Sequence, residues 1–213
     1  MKKFFISLSV FVICILIKEI PVEALTTKNY LPNNKLTYYY KETGFDVAAY
    51  TDLNKSIFKN GYWRDYHYNS YAKKYEKDDA KKSKYIIKKD GIYVQGIDHL
   101  YIDYYTFTNR ILPINFKKGG TYKTIYKSSY DKSNFETLQS VDKIISISEK
   151  VKIGSKTYKD VVKIKKDINF KELETYIYYA KGLGVIKMTV DNHKKGYQKY
   201  AYVNVLYKTR PNK

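Results

Sequence analysis

The stretch VKIGSKTYKDVVKIKKDINFKELETYIYYAKGLGVIKMTV, residues 151–190, decides the fold of this chain. Two segments rich in β-branched and aromatic residues, Thr157–Lys165 and Glu174–Ala180, flank the polar connector Lys166–Lys171. A third such segment, Val185–Val190, follows a break that contains two glycines. Runs of this kind bounded by turn residues predict β-strands, so the stretch predicts an antiparallel hairpin extended into a meander.

The first of these strands has one apolar and one lysine-rich face. Val162 and Ile164 share one face, whereas Val161, Lys163 and Lys165 share the other. Because successive side chains of a strand point to opposite faces, the pattern predicts one buried side and one mostly solvent-exposed side.

The rest of the chain predicts more strands and few helices. Leu36–Lys41 and Ile57–Tyr68 each read as one strand. Asp90-Gly91 predicts a hairpin whose turn needs positive φ angles. Lys73–Lys84 is almost entirely charged and predicts a solvated connection or a helical turn, and Asp131–Gln139 predicts a short helix or loop. The fold class is therefore mainly β, with one antiparallel curved sheet or sandwich and few or short helices.

The N-terminus carries the features of a secretory signal peptide. Lys2 and Lys3 precede the apolar run Phe4–Ile17, and a V-x-A triplet ends at Ala24. We predict a signal peptide at residues 1–24 and a single exported domain at residues 25–213, secreted or associated with the cell envelope. The apolar run is short for a membrane span, although an uncleaved anchor stays open as an alternative.

The exported domain is strongly basic. The chain has a formal net charge of +19. Without residues 1–24 it keeps 37 basic and 19 acidic side chains, a net charge of +18. Such a charge favours anionic partners, here an anionic cell-wall polymer or another polyanion, without specific nucleic-acid recognition. The only cysteine, Cys14, lies in the predicted signal peptide after the large Ile13, which disfavours lipid modification and excludes disulfides from the exported domain.

No catalytic, cofactor or metal site is predicted. His67, His99 and His193 have no two-histidine metal spacing, and no Gly-x-Ser-x-Gly turn accompanies them. Lys181-Gly182-Leu183-Gly184 precedes a β pattern rather than a helix, so it predicts a turn instead of a phosphate loop. Two groups of carboxylates come nearest to a catalytic pair, Asp98 with Asp103 and Glu172 with Glu174. We interpret them as partners of lysines in ion pairs.

The chain has 26 tyrosines, and several clusters of them lie next to lysines, such as Tyr38-Tyr39-Tyr40-Lys41. Aromatic rings stack on sugars or bases while lysines neutralise anionic groups, although tyrosine also simply suits half-buried strands and lysine keeps exposed strands soluble. The candidate contacts for a polyanion or sugar are Tyr38, Tyr40, Lys41, Trp63, Tyr66, Tyr68, Lys181 and Lys187.

Four motifs carry a resemblance to a known group. They are Ile92-Tyr93, then Leu112-Pro113-Ile114 with Gly119-Gly120 and Tyr122, then KTYKDVV at Lys156–Val162, and YYAKGLGVIK at Tyr178–Lys187. Over residues 86–190 the chain resembles uncharacterised exported β-rich proteins and lipoproteins of Gram-positive bacteria. It departs from them in having Tyr122 where tryptophan is common and in lacking their lipid-modified cysteine. The resemblance implies a secreted β-sheet domain and carries no known activity.

The expected function is a non-catalytic module of the cell envelope or extracellular matrix, attracted to anionic polymers by charge. Two alternatives stay open. A carrier would bind an apolar ligand on a concave sheet face, and a pocket of a few hundred Å3 would favour it. A secreted hydrolase would show a cleft with converging Asp, His and Ser side chains. The sequence predicts no oligomeric state.

Overall fold

The computed structural model describes residues 27–44, 50–100, 103–114, 116–129, 135–167, 173–194 and 199–212. The predicted signal peptide and its cleavage point lie outside these residues. Within the described ranges, no helix is long and apolar enough to cross a membrane.

Twelve strands in these ranges follow one another in chain order, and each pairs antiparallel with its neighbours. The last strand also pairs with the first, so the sheet closes into a barrel. The prediction of one antiparallel sheet is confirmed, and closure removes the free edges that a basic, tyrosine-rich sheet would otherwise expose. The strands are β1 (Leu36–Gly44), β2 (Tyr50–Lys59), β3 (Tyr62–Asn69), β4 (Lys74–Lys88), β5 (Gly91–Leu100), β6 (Asp103–Pro113), β7 (Thr121–Ser129), β8 (Phe135–Ile153), β9 (Lys156–Lys166), β10 (Leu173–Ala180), β11 (Gly184–Asn192) and β12 (Tyr200–Pro211).

The meander predicted from residues 151–190 is present as β9, β10 and β11. Two of its details are wrong. Lys166, predicted in the connector, ends β9 and is buried, and Val161, predicted on the exposed face, is fully buried. Val161 is buried because the hairpin of β8 and β9 continues past the start of β7 and packs Val161, with Val151, into one apolar cluster with Leu206.

The charged segment 73–84 is not a solvated connection, because it supplies most of β4. Strands β3 and β5 form hydrogen bonds with its backbone on either side. This tertiary pairing overrides the weak strand propensity of its side chains. The predicted single strand 57–68 is two strands, joined by Asn60 and Gly61 at φ angles of 54° and 78°. Segment 131–139 also differs from the prediction: from Phe135 onward it is strand, and its earlier residues lie outside the described part.

The hairpin predicted at Asp90-Gly91 is confirmed, but the role of Gly91 differs from the predicted one. Gly91 already belongs to β5 and has no positive φ angle. A Cβ atom there would lie 2.2 Å from the carbonyl oxygen of Leu112. Gly91 is therefore needed for close approach of β5 to β6 rather than for the turn.

One end of the barrel is covered by the segment before β1. Its 3₁₀ turn, Thr27–Tyr30, places the buried Tyr30 side chain against Phe116, with ring centroids 5.6 Å apart. The Tyr30 hydroxyl donates to the carbonyl of Asp160 at 3.2 Å, and the amide of Gly182 donates to the carbonyl of Asn29 at 2.7 Å. These bonds tie the N-terminal segment to the β8–β9 hairpin and to the β10–β11 turn, so we call this the covered end.

Candidate functional site

The interior of the barrel contains a cavity of about 380 Å3. Alternate residues of the surrounding strands line it, among them Tyr38 and Tyr40 on β1 and Trp63 and Asp65 on β3. This period of two follows from the pleat of a strand, which directs every second side chain into a closed barrel. We call the region enclosed by β1–β4, β11 and β12 the cavity half of the barrel.

Aromatic rings form one wall of the cavity, on β1, β3 and β4. The rings of Tyr38 and Trp63 meet edge to face at a centroid distance of 5.4 Å, and those of Tyr38 and Tyr40 stack at 6.5 Å. Tyr85 on β4 lines the same space. Ring faces carry partial negative charge, so this wall attracts cations as well as apolar groups.

The polar lining of the cavity is acidic. Glu42 accepts hydrogen bonds from the Tyr50 hydroxyl at 3.2 Å and from Asn54 Nδ2 at 3.1 Å. Asp65 accepts one from the Ser56 hydroxyl. Together with Asp78, these residues bring three carboxylates to the lining, against one lysine, Lys81. With His67 neutral, the lining has a net charge of −2 in a chain whose net charge is +19.

The phenols that face the cavity are held in their neutral form. Burial raises the pKa of Tyr40 well above its ordinary value, and nearby Tyr85, Tyr38 and Asp65 add to the rise. Burial also raises the pKa of Tyr85, again with a contribution from Asp65. The Tyr40 hydroxyl donates to the carbonyl of Val185 at 3.2 Å. Each phenol therefore stays a neutral donor rather than becoming an anion, which leaves the carboxylates as the negative groups.

Asn204 lines the cavity and holds one buried, unsatisfied acceptor. Its Nδ2 atom donates to the Tyr202 hydroxyl at 3.3 Å, but its buried Oδ1 atom accepts no hydrogen bond among the described residues. A buried acceptor without a donor costs on the order of 1–3 kcal/mol. Because this atom is buried, it is a cost to the fold rather than a group open to the cavity.

An irregular pairing of β3 with β4 interrupts the wall beside the cavity. Arg64 pairs with Lys82 and Tyr66 pairs with Lys77, so Asp65 alone faces the four residues 78–81. A bulge of this kind disrupts the hydrogen-bond ladder. Tyr66 lines the cavity, and its ring also lies 4.5 Å from Lys55 Nζ, which contacts the outer ring of Tyr75 as well. Tyr66 therefore contacts both the cavity and Lys55 of the outer surface beside this bulge.

The chain matches no protein-family model, no curated protein and no solved structure. The geometry of the barrel is therefore the ground on which a function is proposed.

The other half of the barrel interior, between β5 and β10, has a closely packed core among its described residues. Ile92, Leu112, Ile144 and Ile164 form this apolar core, and each is at most 1% exposed. We call this the packed half. The candidate site is therefore the cavity, on the opposite side of the barrel.

A buried ion pair lies beside this core. Asp142 is fully buried and pairs with Lys166 Nζ. The same carboxylate accepts hydrogen bonds from the hydroxyls of Thr124 at 2.8 Å and Ser140 at 3.1 Å. All of its strong interactions are therefore internal, and it is a structural group rather than a binding group.

The outer face of the barrel carries lysines stacked over tyrosine rings. Lys163 Nζ lies 4.3 Å from the centroid of the Tyr176 ring, and Lys88 Nζ lies 4.4 Å from that of Tyr93. Cation–π contact of this kind holds the ammonium groups at the surface over their rings. The lysines thus present an ordered positive exterior around an acidic interior.

The eight residues predicted to contact a polyanion or sugar divide between these two surfaces. Four line the cavity and four lie outside it. Tyr38 and Trp63 are 0% and 7% exposed, so their rings face the interior and are withdrawn from any polymer on the outer surface. The cavity residues are Tyr38, Tyr40, Trp63 and Tyr66, and the remaining residues are Lys41, Tyr68, Lys181 and Lys187.

The sequence interpretation missed the polar side of the cavity. Glu42, Asp65 and Asp78 are not among the carboxylates that the sequence interpretation named as a possible pair, which are Asp98, Asp103, Glu172 and Glu174. Only Glu174 of those four has a described side chain, and it lies outside the cavity. The alternation of Tyr38, Tyr40 and Glu42, repeated as Trp63, Asp65 and His67, is the signal that marks these residues as one face.

Ser56, Asp65 and His67 all line the cavity, which raises the question of a catalytic triad. A triad needs the serine to bond the histidine and the histidine to bond the acid. Here Ser56 donates directly to Asp65, and the acidic contact of His67 is Glu76, at 3.9 Å. Ser56 and Asp65 are also paired across the β2–β3 ladder, where their backbone groups are not arranged as an oxyanion hole. These contacts do not form a nucleophile relay.

Proposed function

We propose that this protein is a non-catalytic carrier that binds a small organic molecule in the cavity half of its barrel. The single observation that carries the proposal is the cavity of about 380 Å3 inside a closed barrel. Volumes of a few hundred Å3, with aromatic walls and a few converging polar groups, are typical of small-molecule sites. The bulge between β3 and β4 supports the proposal further, since Tyr66 beside it lines the cavity and also contacts Lys55 of the outer surface.

The place of action belongs to the same proposal. The basic start, short apolar run and V-x-A ending of residues 1–24 favour export, so we place the carrier outside the cytoplasm, secreted or associated with the envelope. There, a barrel closed on itself protects a ligand from bulk water without needing disulfides, which the exported domain cannot form.

Trp63 makes the proposal directly testable. It is the only tryptophan of the chain, and it lines the cavity. Titration with prodan, a neutral environment-sensitive dye, should give saturable one-to-one energy transfer from Trp63 to the dye.

A matched pair of variants locates the binding. Ser83→Phe adds a ring inside the cavity, and Ser155→Phe adds the same ring at an exposed turn. Binding should weaken at least about tenfold in Ser83→Phe, which corresponds to about 1.4 kcal/mol, and should be unchanged in Ser155→Phe. Circular dichroism confirms that both variants fold. Absence of saturable transfer in the wild type, or equal binding by a folded Ser83→Phe, would refute the carrier.

A second function is favoured by the lysines of the outer face. We propose that these lysines hold the protein near an anionic polymer of the envelope or extracellular matrix through many weak contacts. The supporting observation is the series of ammonium groups held over tyrosine rings, such as Lys55 over Tyr66 and Tyr75 and Lys208 over Tyr39. Contacts of this type attract a polyanion by charge density rather than by shape.

Salt dependence tests this second function. Affinity for polyphosphate should fall by orders of magnitude between about 50 and 200 mM salt, because binding releases counterions. The variant Lys55→Gln with Lys208→Gln should bind more weakly, whereas Ser83→Phe should bind as the wild type does. Affinity that survives the added salt would contradict this mode of binding.

A further inference from the structure

The cavity has a charge that the rest of the molecule does not share. Three of its side chains are carboxylates and one is a lysine, inside a chain whose net charge is +19. The interior therefore opposes the exterior in sign. An anionic ligand would be attracted to the outer surface but repelled by this lining, whereas a cation is attracted by the lining.

The aromatic wall adds a second preference of the same sign. Tyr38, Tyr40, Trp63 and Tyr85 line the cavity from β1, β3 and β4. Burial raises the pKa of Tyr40 and Tyr85, so these two rings carry no phenolate charge. Cations with an organic shell bind to the faces of such rings through cation–π contact. The walls also bury the apolar part of a ligand, which a bare metal ion does not have.

The carboxylate of Glu42 gives this preference a specific charged group. Glu42 lines the cavity on β1, and the groups that donate to it, the Tyr50 hydroxyl and Asn54 Nδ2, are neutral, so it keeps its negative charge. Net negative charge and π faces thus specify one ligand chemistry.

We propose that the ligand of this cavity is a small organic cation, an amine or quaternary ammonium carrying an apolar group. This inference rests on the proposed carrier function and specifies its ligand class. Glu42 supplies the negative charge that pairs with the cation, and the rings of Tyr40, Trp63 and Tyr85 surround its apolar shell.

The inference is tested with probes that differ only in charge. Benzyltrimethylammonium is the cation, neopentylbenzene is its neutral isostere, and benzenesulfonate is the anion. Each is titrated while Trp63 emission is followed, with calorimetry as an independent measurement. The cation should bind at least about tenfold more tightly than the neutral isostere, a difference of about 1.4 kcal/mol, and the anion should produce no saturable change.

Two glutamate variants control for long-range charge. Glu42→Gln keeps the shape of the side chain and should weaken binding of the cation about tenfold while leaving the neutral isostere unaffected. Glu174→Gln removes the same charge from the outer face and should leave both affinities unchanged. If a folded Glu42→Gln protein binds the cation as the wild type does, Glu42 is not its counter-ion and the inference fails.

The experiments distinguish an error in the proposed ligand class from an error in the proposed carrier function. Equal binding of the cation and its neutral isostere, with prodan binding intact, would overturn the organic-cation inference and leave the carrier standing. Absence of binding by every probe, prodan included, would overturn both.

Discussion

The two halves of the barrel interior use carboxylates in opposite ways. In the packed half, Asp142 is fully buried and is satisfied by Lys166 and two hydroxyl groups. In the cavity half, Glu42 and Asp65 line an unfilled volume and accept hydrogen bonds from neutral groups, the Tyr50 hydroxyl and Asn54 amide at Glu42 and the Ser56 hydroxyl at Asp65. The same chemical group therefore lies in a closely packed core in one half and beside a cavity in the other.

Side-chain volume explains why the halves differ. Branched aliphatic residues such as Ile144 and Ile164 fill the packed half. Around the cavity, strand positions of the same orientation hold shorter polar residues such as Asn54, Ser56 and Ser83. Large rings across from short side chains leave unfilled volume, because interiors reach close packing only when facing volumes are complementary.

The largest loss of stability is expected from a substitution in the packed half. Lys166→Met leaves the buried Asp142 without its cation and should destabilise the protein by about 3–5 kcal/mol. Adding Asp142→Leu should recover part of that loss, because no unpaired charge then remains buried. Urea denaturation followed by circular dichroism measures both.

Lys165→Met is the matched control for this experiment. Lys165 is the neighbouring lysine, its side chain is 37% exposed, and it pairs with Glu174. Its loss should cost about 1 kcal/mol or less. Equal losses at Lys165 and Lys166 would mean that burial does not decide the value of these ion pairs.

An intermediate effect is expected where the covered end meets the cavity. Gly184 has a φ angle of 71°, and a Cβ atom there would lie 3.0 Å from Pro32, which lines the cavity. Gly184→Val should therefore cost about 1–3 kcal/mol of stability. Thermal unfolding measures the loss.

Gly182→Val separates the two causes of that loss. Gly182 also has a positive φ angle, 69°, but an added Cβ atom would meet nothing within 4 Å. If both variants lose the same stability, backbone strain alone is responsible. A larger loss at Gly184, accompanied by a change in Trp63 emission, would show that the N-terminal segment shapes the cavity half.

The smallest effect concerns a carboxylate at the outer surface. Hydrogen bonds from Lys165 and Tyr176 lower the pKa of Glu174 from 4.5 to about 2, and ion pairing with Lys165 and His193 adds to the shift. Because the pKa of Glu174 is lower in the folded state than in the unfolded state, its ionised form stabilises the protein at pH values above the unfolded-state pKa. This stabilisation is lost as the pH falls through about 2. Glu174→Gln should cost about 1 kcal/mol at neutral pH, because the group is partly exposed.

The pH dependence distinguishes this explanation from a packing effect. The difference in unfolding free energy between the wild type and Glu174→Gln should shrink as the pH falls from about 4.5 to about 2. A difference that is constant over this range would contradict the linkage and assign the loss to packing.

Much of the β architecture was predictable from the sequence, and each wrong prediction has a specific physical cause. The meander 151–190 was found because its β-branched and aromatic runs are bounded by turn residues. Segment 73–84 was missed because its charged side chains suit solvent on one face and a polar cavity on the other, which leaves no apolar alternation. The hairpin at Asn60-Gly61 was missed although Asn-Gly is a strong turn signal, since aromatic residues such as Phe58 and Tyr62 continue on both sides of it.

The candidate site was predictable in part. Tyr38, Tyr40, Trp63 and Tyr66 were selected as contact residues, and they do line one surface. That this surface is interior was not predictable, because alternation defines two faces of a strand without saying which one the barrel encloses. Glu42 and Asp78 join it from strands that are distant in the sequence.

The sequence by itself determined the properties that depend on neighbouring residues: strand propensity, the turns at Asp90-Gly91 and Gly182–Gly184, and the basic charge. Only the tertiary structure decided that β12 pairs with β1, which faces look inward and where volume stays unfilled. The physical reason is that closure and cavity volume arise from contacts between strands far apart in the chain. Each local pattern is compatible with an open sheet as well as with a barrel, and the first and last strands decide between them by pairing.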